Sequence, residues 1–294
     1  MGRELKGKVI ADQIKGELQK ELAKFTAPPQ LRVLYFGTAT SRLYWHAQHT
    51  VAKELLIGTG RSSHAADAWR DGSFECPPEW TPEKVEQIIE CWNRDPEVHG
   101  IFVHQPLPQQ LDAQRISAII DPRKDVEGIH PQNSARRFFA KARIGSCTAL
   151  AVMELIESTG EPLEGKEAVV VGHSEIVGRP VSMLLLDKLA TTTICHIGTD
   201  KAQRLEDHVR RADILVVAIG RPQHIKGAWI KEGAIVIDVG INVVNGRVVG
   251  DVEFEAAKQR AKYITPVPGG VGPVTVMIVM KNTVEAFKLQ TSAS

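Results

Sequence analysis

Four nearly unbroken apolar or β-branched runs in the second half of the chain constrain its fold most. They are AVVVG (168–172), TTTICH (191–196), DILVVAIG (213–220) and AIVIDVG (234–240). A strand that alternates apolar with polar residues buries one face, whereas one that is apolar throughout buries both and belongs in a parallel sheet with helices on either side. Helical or loop segments separate the runs, as parallel crossovers require. The pattern predicts central parallel strands of a doubly wound α/β domain, and in such sheets ligands collect at the carboxyl ends of the strands. Gly172, Gly220 and Gly240 stand at three of those ends.

The first half repeats the theme less sharply. Val9, Ile10, Ile14, Leu18 and Leu22 lie at helical spacing, and Pro28-Pro29 halts that helix before the buried-strand run LRVLYFG. A second helix is expected to start near Ser41 as N-cap, and a third to run through TPEKVEQIIECWN, with Thr81 as N-cap and Val85, Ile88 and Ile89 on one face. HGIFVHQPLP reads as a strand followed by a proline-stiffened loop, and residues 121–147 read as a loop-rich stretch. At roughly 150 residues per domain, a chain of 294 holds two domains.

Composition narrows the function classes. With 43% hydrophobic and 24% charged residues the chain has ample core material. A formal net charge of +1 offers no field for nucleic acid or anionic lipid, so neither is expected as a partner. The opening MGRELKGKVIADQIKGEL is interrupted by charges too often for a secretory or membrane-spanning segment, which points to the cytoplasm. Cys76, Cys91, Cys147 and Cys195 form no Cys-x-x-Cys pair, so no metal site is expected. The chain closes on a short polar tail, TSAS.

The strongest local motif is GHSEIVGRP, where Gly172 and Gly178 flank Ser174 between a strand and an apolar helix. A strand-turn-helix of this kind can offer backbone N–H groups to a pyrophosphate. It reads G-x-S-x-x-x-G rather than G-x-G-x-x-G, and the alternative is an ordinary β–α turn that uses glycine for its backbone freedom. Past the next strand, in HIGTDKAQR, Ile197 and Gly198 offer no cation for a ribose 2′-phosphate. His173 and Lys201 are available, but Glu175 opposes a phosphate, and the balance tips toward NAD.

Several ordered blocks then point to one family. They are SRLY (41–44), NRDPEVHGIFVHQPLP (93–108), KDVEGIHPQN (124–133), GHSEIVGRP (172–180), GAIVIDVGINVVNGRVVGDV (233–252) and YITPVPGGVGPVTVMIVMKNTVEAF (263–287). Together they resemble the bifunctional methylenetetrahydrofolate dehydrogenase/cyclohydrolase family over nearly the whole chain. The resemblance implies a folate-binding α/β domain of residues 1–146 and 272–294, a Rossmann-type NAD(P)-binding domain of residues 147–271, and a folate cleft between them. The last helix, after Pro273, is expected to return to the first domain. A homodimer formed through the cofactor domain is also implied. NAD(P) would be bound by Gly172, His173, Ser174, Ile176, Val177, Gly178, Thr199, Gly220, Gly240 and Ile241. Reduced folate would meet Tyr44, Asp125, Glu127 and the Pro268-Gly269-Gly270 loop.

The implied dehydrogenase moves a hydride from methylene-tetrahydrofolate to the nicotinamide and needs mainly positioning. The implied cyclohydrolase needs a group that takes a proton from water. Tyr44 matches the family's active-site tyrosine. The catalytic lysine one helical turn later is Gln48 here, the glutamine that supports it is His104, and a second aspartate of the folate loop is Glu127. An amide has no useful basicity, whereas His104 is a candidate base. Gln105, next along the strand, is expected to face away. The sequence thus suggests a dehydrogenase with weak or lost cyclohydrolase activity. The alternatives are a catalytically silent folate- or nucleotide-binding paralogue and a dehydrogenase for another reduced pterin carrier.

Overall fold

The computed structural model describes residues 2–60, 72–77, 79–139 and 143–291, so Ser292–Ser294 of the polar tail lie outside the described residues. The elements of the first half are β1 (Arg3–Glu4), α1 (Gly7–Leu22), β2 (Leu31–Tyr35), α2 (Ala39–Glu54), β3 (Phe74–Glu75), α3 (Pro82–Arg94), β4 (Gly100–Val103), α4 (Ala113–Ile119) and α5 (Pro131–Phe138). There follow α6 (Cys147–Glu157), β5 (Glu167–Val171), α7 (Gly178–Asp187), β6 (Thr191–Cys195), α8 (Ile197–Lys201), α9 (Leu205–Arg211), β7 (Ile214–Val217) and β8 (Ile235–Asp238). The chain ends with β9 (Asn242–Val244), β10 (Arg247–Val249), α10 (Phe254–Arg260), β11 (Tyr263–Ile264) and α11 (Val271–Thr291).

Two compact units form. One joins the described residues up to Ile14 with Thr148–Thr275, and the other joins Lys15–Cys147 with the chain from Val276 onward. The first carries a six-stranded sheet in the order β1-β11-β8-β7-β5-β6, parallel at every pairing. Order reverses between β5 and β7, which creates the switch point at which doubly wound sheets bind ligands. Its core gathers Val169, Val171, Leu215, Val217, Val236 and Ile264.

Two expectations change in this unit. TTTICH is not a central strand: β6 is the sheet edge, and Thr191 and Ile194 are exposed, Ile194 by 38%. β-branched threonines suit an edge as well as a centre, so their apolar Cγ groups misled the reading. The expected boundary also moves, because Arg3 and Glu4 pair with Tyr263 and Ile264 and thereby tie the first residues to the six-stranded unit.

In the other unit β2 lies between β3 and β4, parallel to both, and its core includes Leu34, Phe74, Val85, Ile88, Ile89 and Trp92. The N-cap of α2 is Thr38 rather than Ser41: the Thr38 hydroxyl accepts from Ser41 N at 3.1 Å, while the Ser41 hydroxyl donates to Phe36 O at 3.1 Å. Thr81 caps α3 as expected. Within the loop-rich stretch lies α5, begun by Pro131 in the first turn and by the His130 ring, which accepts from Gln132 N at 3.0 Å.

Candidate active site

In the unit around β2, helix α2 sets Tyr44 and Gln48 one turn apart on a shared face. Just past β4 stands His104, buried to 2%, and its Nε2 lies 2.9 Å from Gln48 Oε1. Gln48 is fully buried, and its Nε2 has no hydrogen-bond partner among the described residues. The His104 ring meets Tyr44 edge-on at 5.3 Å between centroids and Phe102 at 5.1 Å. Burial among these rings pushes the imidazole down to about 3. Neutral imidazole donates one N–H, and Gln48 Oε1 accepts it. The candidate base His104 therefore has almost no basicity left at neutral pH, which corrects the reading based on an ordinary histidine.

Next to this pair runs the loop of Lys124–Gly128. Lys124, 3% exposed, donates from Nζ to Trp92 O at 2.9 Å and Asp95 O at 2.6 Å. Asp125, 1% exposed, accepts from Gly128 N at 3.0 Å, His130 N at 2.8 Å and Asn133 Nδ2 at 2.9 Å. Its carboxylate is thus engaged by its own loop, as expected of a residue that organises it. Glu127 is half-buried, and burial together with the nearby Asp125 charge pushes it up to about 8. Tyr44 is pushed well above the ordinary phenol by burial and by the charges of Cys147 and Glu127. Gln105 lines a small cavity with Glu127, Leu107 and Ile129. Sequence reasoning missed Asn282, whose amide donates to Val126 O at 2.8 Å and Gly145 O at 2.9 Å and so braces the Glu127 loop.

The second cluster lies at the carboxyl ends of β5, β6 and β7, where a cavity is lined by Gly172, His173, Ser174, His196, Ala218 and Ile219, among others. Gly172 has φ +128, and a Cβ there would sit 2.3 Å from Ala218 O. A Cβ on Gly178 would sit 2.1 Å from Gly172 O, so both positions admit glycine alone. Ser174 Oγ closes the turn by accepting from Val177 N at 3.1 Å and Gly178 N at 3.4 Å, and Ile176 lies within the same turn. The cradle, the glycine approach and the start of α7 fit a dinucleotide pyrophosphate.

Two buried carboxylates that sequence reasoning passed over brace the backbone past β7 and β8. Asp251, with no exposure, accepts from Ile219 N at 2.7 Å, Gly220 N at 2.9 Å and Asn242 Nδ2 at 2.8 Å. Asp238 accepts from Gly240 N at 3.0 Å, Asp251 N at 3.0 Å and Val252 N at 2.9 Å, and burial pushes it up to about 7. Gly220 and Gly240 thus owe their places to these carboxylates. Thr199 spends its hydroxyl on the α8 cap, accepting from His196 N at 3.2 Å, and Ile241 is 65% exposed. In the same unit the Pro268-Gly269-Gly270 loop leans on the start of α1, with Gly7 N donating to Gly269 O at 2.8 Å. Among the described residues no group of three or more His, Cys, Asp or Glu is arranged to hold a metal.

Comparison with known proteins agrees with this geometry. A model for the tetrahydrofolate dehydrogenase/cyclohydrolase catalytic domain matches residues 5–127, and one for the NAD(P)-binding domain of the same family matches residues 146–291. A bifunctional protein FolD from Halothermothrix orenii is 46% identical over 294 residues, covering 98% of this chain and 99% of the relative. The bifunctional FolD structure from Campylobacter jejuni superposes with a TM-score of 0.89 at 35% identity, over 98% of this chain and 99% of that one. The Trypanosoma brucei enzyme, solved with NADP and an inhibitor, gives 0.89 at 36% identity, over 98% of each chain.

Proposed function

This chain belongs to the tetrahydrofolate dehydrogenase/cyclohydrolase family, and from that premise we propose that it is an NAD(P)-dependent methylenetetrahydrofolate dehydrogenase whose cyclohydrolase activity is weak or lost. When bound, NAD(P) supplies a nicotinamide ring that accepts a hydride from the one-carbon bridge of the reduced folate. The turn from Gly172 to Ser174 holds the pyrophosphate, and Asp251 fixes the backbone of Ile219 and Gly220 beside it. Tyr44 packs on the pterin side, while Glu127 accepts from the pterin's amide edge and Asp125 shapes the loop that carries it. No proton leaves the donor carbon, so orientation alone can lower the barrier, by roughly 7–11 kcal/mol.

Opening the methenyl product is a different task, since the attacking water must give up a proton. One observation carries the proposal: the position that would hold the base is a buried, neutral hydrogen bond between Gln48 and His104. An amide has no proton-accepting nitrogen, and His104 has been pushed down to about 3. Glu127 titrates closer to neutrality, but its oxygens are engaged by the pterin edge in this reading. The cradle around Gly172 is intact, which favours a dehydrogenase over a silent paralogue.

The family resemblance also supports a cytoplasmic homodimer acting on a reduced folate. No described helix is long and apolar enough to cross a membrane, and β6 leaves an open sheet edge suited to self-association. The test follows cofactor reduction and methenyl absorbance together in purified protein given methylene-tetrahydrofolate. Reduction with accumulation of methenyl-tetrahydrofolate is expected, and disappearance of the methenyl signal as fast as it forms would overturn the proposal.

A further inference from the structure

We infer that Asp200, with Arg221 and His224 bound to it, makes this site select NAD over NADP by presenting a carboxylate to the ribose end of the dinucleotide. The inference rests on the dinucleotide reading above and deepens it. In Rossmann-type sites an acidic residue beyond the second strand accepts from the ribose 2′-hydroxyl, whereas a free arginine nearby receives a 2′-phosphate. β6 is that second strand, and Asp200 lies five residues beyond its end, lining the same cavity as Gly172 and Ser174.

Arg221 lines the cavity from the loop after β7, but its charge is already engaged. Its Nη1 donates to Asp200 Oδ2 at 2.6 Å, and His224 Nε2 lies 3.1 Å from Asp200 Oδ1. The hydrogen bond from Arg221 holds the Asp200 carboxyl below the usual carboxylate range, so it stays ionised near neutral pH. Cation and anion cancel, and an incoming phosphate dianion would have to displace Asp200 or sit against its like charge. Among the described residues that line the cavity no Lys or Arg accompanies Arg221, and the exposed Lys201 is not one of them. Ile197 and Gly198 offer no cationic side chain, Thr199 is used in the α8 cap, and Arg179 pairs with Glu175 at 3.4 Å. His173 and His196 face each other with ring centroids 5.4 Å apart, and His196 Nδ1 accepts from Gly198 N at 3.1 Å.

The experiment is calorimetric titration of the full-length protein with NAD and with NADP, without folate, followed by kcat/KM for each. NAD is expected to bind at least about tenfold more tightly than NADP. Asp200→Ser, and Asp200→Asn as the shape-preserving control, should free Arg221 and tighten NADP binding by about tenfold or more, and adding Arg221→Ala should erase that gain. Native protein that prefers NADP, or Asp200 variants that leave the ratio unchanged, would overturn the inference while leaving the dehydrogenase reading standing. Failure of native protein to bind either dinucleotide would overturn both.

Discussion

The two clusters are built from different material. The dinucleotide cradle is made of backbone: Gly172 and Gly178 admit no Cβ, and Asp251 acts on the N–H groups of Ile219 and Gly220. The other cluster is made of side chains: Tyr44, Gln48 and His104 meet through a hydrogen bond and ring contacts, and Glu127 stands on the neighbouring loop. A backbone-built site resists change because altering it breaks the turn, whereas a side-chain site can lose one chemistry and keep its scaffold. On the proposed reading, that contrast would let a proton-transfer step be lost while a hydride-transfer step is kept.

The sharpest way to test the contrast is to reverse it. Gln48→Lys combined with His104→Gln restores an ammonium to the α2 face and should accelerate methenyl-tetrahydrofolate hydrolysis by about 100-fold or more over the parent, read as loss of methenyl absorbance. Dehydrogenase turnover should persist in that variant, and an unchanged hydrolysis rate would mean that more than the base is missing. On the backbone side, Gly172→Ala forces a Cβ toward Ala218 O and should lower dehydrogenase kcat/KM by about 100-fold, while folate binding measured by fluorescence is retained.

Asp251→Ala leaves the N–H groups of Ile219 and Gly220 without their charged acceptor. It should destabilise the dinucleotide unit by about 2–3 kcal/mol, measured as an earlier transition in chemical denaturation of the full chain. A smaller effect is expected from pH. With Glu127 pushed up to about 8, its carboxylate form, the one able to accept from the pterin edge, fills only as pH rises through that value. kcat/KM should therefore climb with pH and level off above about 8, and Glu127→Gln should flatten that rise. The same raised value has a stability consequence. The folded chain keeps a proton that the unfolded chain releases from 4.5 upward, so this group's contribution weakens as pH rises from there to about 8.

Much of the dinucleotide unit was legible because β5, β7 and β8 are apolar on both faces and each ends near a glycine or a carboxylate. β6 was misplaced because a threonine run has the same β propensity at an edge as at a centre. The pairing of Arg3 with Tyr263 spans almost the whole chain and leaves no local signal in two residues. On the folate side Tyr44, Gln48 and His104 were legible through motif spacing, and the structure brings Gln48 and His104 into direct contact. What could not be read was burial: an isolated histidine titrates near 6.5, and only its packing among Tyr44, Phe102 and Tyr35 shows why His104 does not. Asp251 and Asn282 stood inside the quoted blocks without a readable task, because most of their partners are backbone groups on other segments. Asp200 was within reach, as an acidic residue past the second strand of a Rossmann unit, although its pairing with Arg221 was not.

The most direct measurement is the decay rate of authentic methenyl-tetrahydrofolate, without any nicotinamide cofactor, as the protein concentration is raised. A flat line at the buffer rate is the predicted result, with the same preparation reducing cofactor from methylene-tetrahydrofolate. A decay rate that climbs in proportion to protein would show that a proton acceptor survives beside Tyr44 and would contradict the account.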